Sequence, residues 1–414
     1  MTAASVNDDA AGAAELPPGM LSGLRVLDLS RIFAGPAATQ VLGDLGAEVI
    51  KVEDPTGDGS RRLGASEERM RRMGGTSPAY LAFNRNKRSI VLDLHVASAR
   101  AVVKRIAATV DVMVHNFRPG VVERWGLDYA AVARDNPRLV YAEFSAYGTR
   151  GAMARVGAND VAVQAYSGLI SATGNKGEPP VRCGTAVVDM QGSLALVSGI
   201  LGALYHRERS GRGQRVSSSL LASAAHLMGY VYADYWADGT VAEPLGTANT
   251  LNVPNQAFPA ADGSVIIIAS GDDMWARCAD ALDAARLNRS EYQRSFDRLL
   301  KRDTLVPEIS AVTSRFSCAE LVERLEAVRV SVAKVNSVAE AADSEQLTAN
   351  GGWVSLGDDQ PLQRAVASPF ELSESPVRVR RPPPRLGEHA EAILGEAGYA
   401  AEEIAALRAE GALG

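Results

Sequence analysis

Between residues 24 and 53, two short apolar runs flank a longer mixed one. Leu24-Arg-Val-Leu-Asp28-Leu29 predicts a strand, residues 37–45 a helix, and Ala47-Glu-Val-Ile50-Lys-Val52-Glu53 a second strand. The alternation continues with a strand over 89–94, a helix over 97–107, and strands over 111–114 and 139–144. This rhythm predicts an α/β fold, a mostly parallel sheet with helices on both faces. Ligands on such sheets bind beyond the carboxyl ends of the strands. The loops beginning at Ser30, Asp54, His115 and Ser145 are therefore the ones that matter.

A different pattern begins at Gly184. Thr185 to Val188 is short and partly β-branched, and reads as a buried extended segment or a close approach to one. Asp189 follows, and from 192 to 210 apolar residues occupy nearly every helical face until a basic last turn, with Gly211 and Gly213 as stops. The run predicts a buried helix with one carboxylate at its mouth. Asp189 has two compatible readings. It caps the helix, or it serves as a nucleophile kept ionised by the helix-terminal amides.

Past a helix over 220–232 the chain turns polar and rich in turn residues. A hairpin over 256–269 has Asp262-Gly263 at its tip, and helices are expected over 274–284, 305–315 and 319–326. A smaller α+β domain over 230–335 is the economical division, after a large domain over 21–229. The remainder, 336–414, holds a short apolar stretch over 353–356, a Pro-rich segment over 381–387 and a last helix over 400–410.

Composition narrows the partners. With 414 residues, 46% of them hydrophobic, the chain is long enough for two domains. A net charge of −6 excludes general nucleic-acid binding, while local basic clusters suit a small phosphate-bearing ligand. Three widely spaced cysteines provide neither metal-ligand spacing nor a disulfide framework, which fits a reducing cytoplasm. Residues 1–20 read as a loose tail rather than a signal peptide, and the apolar run over 194–204 is too short to cross a bilayer, so no membrane partner is expected.

Several loops carry candidate chemistry. Ser30-Arg-Ile-Phe33-Ala-Gly-Pro36 stands where a dinucleotide fold has Gly-x-Gly-x-x-Gly, and that fingerprint is missing. Pro36 leaves first-turn amides free for an anion or for water. Gly57-Asp-Gly-Ser-Arg61-Arg62 and Asn84-Arg-Asn-Lys87-Arg88 place paired cations beside turns, either as solvated faces or as phosphate ligands. In His115-Asn116-Phe117-Arg118-Pro-Gly120, followed by Arg124, Phe117 either stacks on a base or fills the sheet edge. The five histidines read as structural, and no Ser/His/Asp arrangement, Gly-x-Ser-x-Gly or P-loop is present.

The order of these motifs is more specific than any one of them. Leu21-Ser-Gly-Leu-Arg-Val-Leu-Asp28, Ala34-Gly-Pro36, Leu45-Gly-Ala-Glu-Val-Ile-Lys51-Val-Glu53, Gly57-Asp58, Asn86-Lys-Arg-Ser-Ile90, Asn116-Phe-Arg-Pro-Gly120, Asp189 and Gly211-Arg-Gly-Gln214 together resemble the class III CoA-transferases, the family of formyl-CoA transferase and carnitine CoA-transferase. The match runs over 21–225 and resumes at Pro384-Arg-Leu-Gly-Glu-His389. The resemblance implies an interlocked homodimer whose Rossmann-like large domain uses both ends of the chain, so that 336–414 returns to it.

It also implies a reaction. CoA passes from an acyl-CoA to a carboxylic acid through an aspartyl anhydride and an aspartyl-CoA thioester on Asp189, with nearby backbone amides steadying the oxyanion. No cofactor is implied, since CoA enters as part of the substrate. CoA-binding residues would be Lys87, Arg88, Asn116, Phe117, Arg124 and Arg61, with Tyr147 and Phe33 at the acyl group. Two departures stand out. Phe33 replaces the glutamine of formyl-CoA transferase, and Ser270-Gly271-Asp272-Asp273 replaces its glycine run. The same fold also hosts α-methylacyl-CoA racemase, which needs a Gly-His-Asp histidine. This chain has Asn159 there, in Gly157-Ala-Asn159-Asp160, and an amide cannot shuttle a proton. Racemase-like isomerisation and non-catalytic CoA binding stay as alternatives to transfer.

Overall fold

The computed structural model describes residues 18–64 and 66–414, so the tail expected over 1–20 lies outside the described residues up to position 17. Six strands form one parallel sheet: β1 (Arg25–Asp28), β2 (Glu48–Glu53), β3 (Lys87–Val91), β4 (Val112–His115), β5 (Val140–Ser145) and β6 (Arg215–Ser219). Their spatial order is β3-β2-β1-β4-β5-β6. It reverses between β1 and β4, which makes those two strands a topological switch point. The chain leaves those two strands towards opposite faces of the sheet, and a crevice opens at their carboxyl ends. The alternating pattern in the sequence predicted five of these strands. β6 was missed because Arg215-Val-Ser-Ser-Ser219 is an edge strand with one of its five residues buried and no apolar run.

The sheet's two faces are covered from distant parts of the chain. On one face the Ala97–Ala107 helix buries Ala99, Val102, Val103 and Ile106, a regular helical stripe. They join Leu27, Ile50, Ile90, Met113 and Tyr141 in a cluster that also contains Ile393, Leu394, Leu407 and Leu413. The chain's end therefore completes the core that its beginning starts. The His389 N–H donates to Ser89 O at 2.9 Å and pins that return. On the other face, every residue of the Ala34–Asp44 helix is buried, and the Val187–Ser210 helix packs on it.

The Val187–Ser210 helix buries Val188, Gly192, Leu196, Ile200 and Leu204, a single stripe, while Leu194 and Tyr205 are 41% and 63% exposed. Its burial is thus narrower than its apolar residues suggest. By length and composition it is apolar enough to cross a membrane, the one such helix among the described residues. Its stripe instead packs against the Ala34–Asp44 helix, β5 and β6. Residues 185–186 are no strand, because the helix already begins at Val187.

The chain divides into two compact units. The first holds residues up to Ser167, Thr185–Gly229 and Asn350–Gly414; the second holds Gly168–Gly184 and Tyr230–Ala349. The division differs from that expected at 168–184 and at 336–349. The first of these segments is tied inside the second unit by the Gly246 N–H, which donates to Gly174 O at 2.6 Å. That unit has an antiparallel sheet of β7 (Asn255–Ala260), β8 (Gly263–Ile268) and β9 (Ser331–Lys334). Phe258, Val265 and Ile267 from the hairpin pack with Trp275, Ile309 and Leu321 from its helices.

Candidate active site

The crevice at the switch point is built by two loops that grip each other. Asn116, after β4, accepts the Arg31 N–H at 2.8 Å through Oδ1 and donates to Arg31 O at 2.7 Å through Nδ2. Ile32 next in line is left-handed, with φ of 70°, and its N–H donates to the two Asp58 carboxylate oxygens at 3.1 and 3.3 Å. Asp58 is buried against Lys51, whose Nζ donates to it and to Ser30 O, each at 2.9 Å. Burial alone would raise the Asp58 carboxyl, yet the Lys51 ammonium and the amides of Ser60 and Ile32 hold it below the usual range.

These loops frame a cavity of about 240 Å³, lined by Arg31 to Ala34, Asn116, Phe117, Phe144, Asn159 and Asp189 among others. An adjoining cavity of about 510 Å³ shares Asn116, Phe117, Ser145 and Asn159 and adds Arg118 and Gly157. Arg118 lies so close over Gly157 that a Cβ there would come within 2.3 Å of its guanidinium.

Asp189 is the third residue of its helix and not the cap, which is Ala186. The amides it was expected to satisfy are taken by Asp160. Oδ2 of that residue accepts the N–H of Val188 at 2.8 Å and of Asp189 at 3.0 Å, and its Oδ1 accepts from Gln164 Nε2. Asp189 therefore loses the stabilisation that keeps a helix-terminal carboxylate ionised. Burial, with the Asp160 charge adding to it, pushes its carboxyl up to about 7. The same bonds occupy the Val188 and Asp189 amides, two of the backbone donors near the carboxylate. Asp160 is the residue sequence reasoning passed over. It stood beside Asn159 in the quoted motif, but nothing in the spacing showed that it reaches 28 positions along the chain. Asn159 itself is a cap: its Oδ1 accepts the Ala162 N–H at 3.1 Å.

The structure separates the expected site residues into two groups. Asn116, Phe117, Phe33 and Asp189 line one cavity. Phe117 is fixed edge-on to Trp125, with ring centroids 5.1 Å apart, beneath the Arg31 guanidinium. Phe33 meets Phe83 edge-on at 5.5 Å.

The other group does not join them. Lys87 is fully buried, and its Nζ spends its three donors on Asp28 at 3.0 Å, Pro36 O at 2.9 Å and Asn84 Oδ1 at 2.9 Å. Arg88 forks onto Glu396 at 2.6 and 2.7 Å and pairs with Glu48. Arg61 forks onto Glu53 at 2.7 Å and lies over the Tyr80 ring. These three cations, read from sequence as phosphate ligands, are occupied by carboxylates 59, 308 and 8 positions away. Arg124 is exposed on the Val121–Trp125 helix, away from the cavity walls. Tyr147 lines a separate depression with Arg215 and Ser219, edge-on to Tyr166, rather than the Asp189 cavity. Buried His115 is structural: burial pulls it down to about 4, and its Nδ1 accepts the Phe117 N–H at 3.3 Å.

The model of CoA-transferase family III matches residues 21–390. Succinate–glutarate CoA-transferase of Agrobacterium fabrum is 34% identical over 384 residues, 92% of this chain and 96% of that protein. Human succinyl-CoA:glutarate CoA-transferase is 32% identical, covering 91% and 85%, and acetyl-CoA:oxalate CoA-transferase of Acetobacter aceti is 33% identical, covering 82% and 87%. Among solved structures, a CaiB/BaiF family protein from Brucella suis superposes with a TM-score of 0.82 at 29% identity, covering 92% of this chain and all of that one. A sheet with its crevice at β1 and β4, a family match along most of the chain and relatives above 30% identity over nearly their whole lengths lead to one conclusion: the chain belongs to CoA-transferase family III.

Proposed function

We propose that this CoA-transferase works through covalent catalysis by Asp189. The carboxylate attacks the thioester carbonyl of an acyl-CoA, giving an aspartyl-acyl anhydride and CoA thiolate. The thiolate then attacks the aspartyl carbonyl, forming an aspartyl-CoA thioester and releasing the donor acid. An acceptor carboxylate attacks that thioester in turn, and the thiolate returns to the acceptor's acyl carbon, freeing Asp189.

One observation carries this reading. Asp189 is the one carboxylate among the described residues lining the switch-point cavity, and no histidine, lysine or cysteine stands with it there. Asn159, bonded as a helix cap, leaves proton shuttling without a second base. Asn116 and Phe117 at the cavity mouth support a role in holding the CoA arm.

The relatives are named for succinate, glutarate and oxalate, and Arg118 sets a guanidinium over Gly157 in the adjoining cavity, whereas Arg31 is tied to Asp54 at 3.1 Å. The names and the Arg118 guanidinium support a short dicarboxylic acid as acceptor. The exposed Leu194 and Tyr205 on the core helix support a homodimer, and buried Cys278 and Cys318, kept as thiols, are compatible with a reducing cytoplasm. The test of the catalytic reading is Asp189→Ala with succinyl-CoA and a panel of dicarboxylates. Transfer is expected to fall at least about a thousandfold, as loss of a nucleophile does. Transfer within about tenfold of the parent would overturn it.

A further inference from the structure

We propose that Asp58, backed by Lys51, is a positioning residue for the acyl cavity: it holds the loop after β1 in a strained left-handed turn at Ile32 and so fixes the wall that faces Asp189. The proposal rests on the Asp189 cavity being the acyl site. Its starting point is Ile32 itself, a β-branched residue with φ of 70°, where its Cβ crowds the backbone and only an imposed conformation persists.

What imposes it is on either side. The Ile32 N–H is gripped by both Asp58 oxygens, and Oδ1 of the same carboxylate accepts the Ser60 N–H and hydroxyl, each at 2.9 Å. Lys51, fully buried, ties that carboxylate to Ser30 O, so one ammonium anchors the loop's start and its clamp together. Asn116 brackets Arg31 from the opposite wall. The Ile32 side chain rests on Gly59, where a Cβ would lie 3.0 Å from Ile32 Cδ1. Arg31, Ile32, Phe33 and Ala34 all line the cavity that holds Asp189. Freed from Asp58, Ile32 relaxes towards negative φ, and the turn that sets Arg31 and Phe33 in the cavity wall is lost.

The test is a comparison of backgrounds in the full-length protein. Asp58→Ala is measured alone and together with Ile32→Gly, since glycine takes a left-handed φ without strain. In the parent background Asp58→Ala is expected to lower kcat about ten- to hundredfold while KM for acyl-CoA moves less than about threefold. In the Ile32→Gly background the same substitution is expected to cost less than about threefold. Equal losses of kcat in both backgrounds overturn the proposal, because a merely structural Asp58 lowers Tm without this coupling. If Asp58→Ala does not fold, Lys51→Met in the same two backgrounds makes the comparison, and equal losses contradict it again. The coupling reads transfer rate alone. Absence of an acyl adduct on Asp189 would count against the nucleophile and leave the clamp standing.

Discussion

At the scale of the residue, burial and then the charge of Asp160 set the acidity of Asp189. An aspartate in the unfolded chain titrates near 3.8, while Asp189 is raised to about 7. Between those values the folded protein keeps a proton that the unfolded chain has released, so this site's contribution to stability falls as pH rises through that window. Asp189→Asn removes the charged form. Its Tm is expected to exceed the parent's by roughly 3–6 °C at pH 8, with the gap closing near pH 4; a lower Tm at pH 8 would show that the carboxylate is not penalised. If Asp189 is the nucleophile it must be ionised, so kcat/KM of the parent is expected to drop as pH falls through about 7. Asp160→Asn keeps an acceptor oxygen for the helix amides and removes the repelling charge, and should move that midpoint to lower pH. An unmoved midpoint would assign the shift to burial alone.

The same scale shows the limit of reading charge from sequence. Lys87, Arg88 and Arg61 were visible as cations beside turns, but their partners Asp28, Glu396 and Glu53 are fixed by the fold and not by spacing. Lys87→Met leaves Asp28 buried without its nearest cation. It is expected to cost about 3 kcal/mol of stability in denaturant titration, with KM for acyl-CoA little changed.

At the scale of the element, the strand-helix alternation and the long helix after Asp189 were legible because burial imposes periodicity. The β6 edge strand and the loop geometry were not legible, since an edge strand need not be apolar and hydrogen bonds across the crevice leave no periodic trace. Which face of the Val187–Ser210 helix turns inward is set by its close contact at Gly192, where a Cβ would sit 2.4 Å from Phe144 Cζ. Phe144 lines the Asp189 cavity. Gly192→Ala therefore overpacks the wall of the site itself. It should destabilise by about 1–3 kcal/mol and raise KM for acyl-CoA, whereas a parental Tm and KM would show that the helix shifts freely.

At the scale of the molecule, the strand order places the loops after β1 and β4 side by side, and the return of the chain's end to the first core holds that sheet together. Motif order along the sequence carried this architecture well, because most of the motifs lie on a strand or in a loop next to one. It marked Asp189 as a candidate too, but not its acidity, which arises from burial first and then from the charge of Asp160, 29 positions away. Mass spectrometry tests the account most directly. The protein is incubated with succinyl-CoA without acceptor, treated with hydroxylamine and digested. The account predicts a hydroxamate on the peptide carrying Asp189, absent from Asp189→Ala and reduced at pH 5. An active enzyme whose Asp189 peptide stays unmodified throughout, or an adduct on another residue, would contradict it.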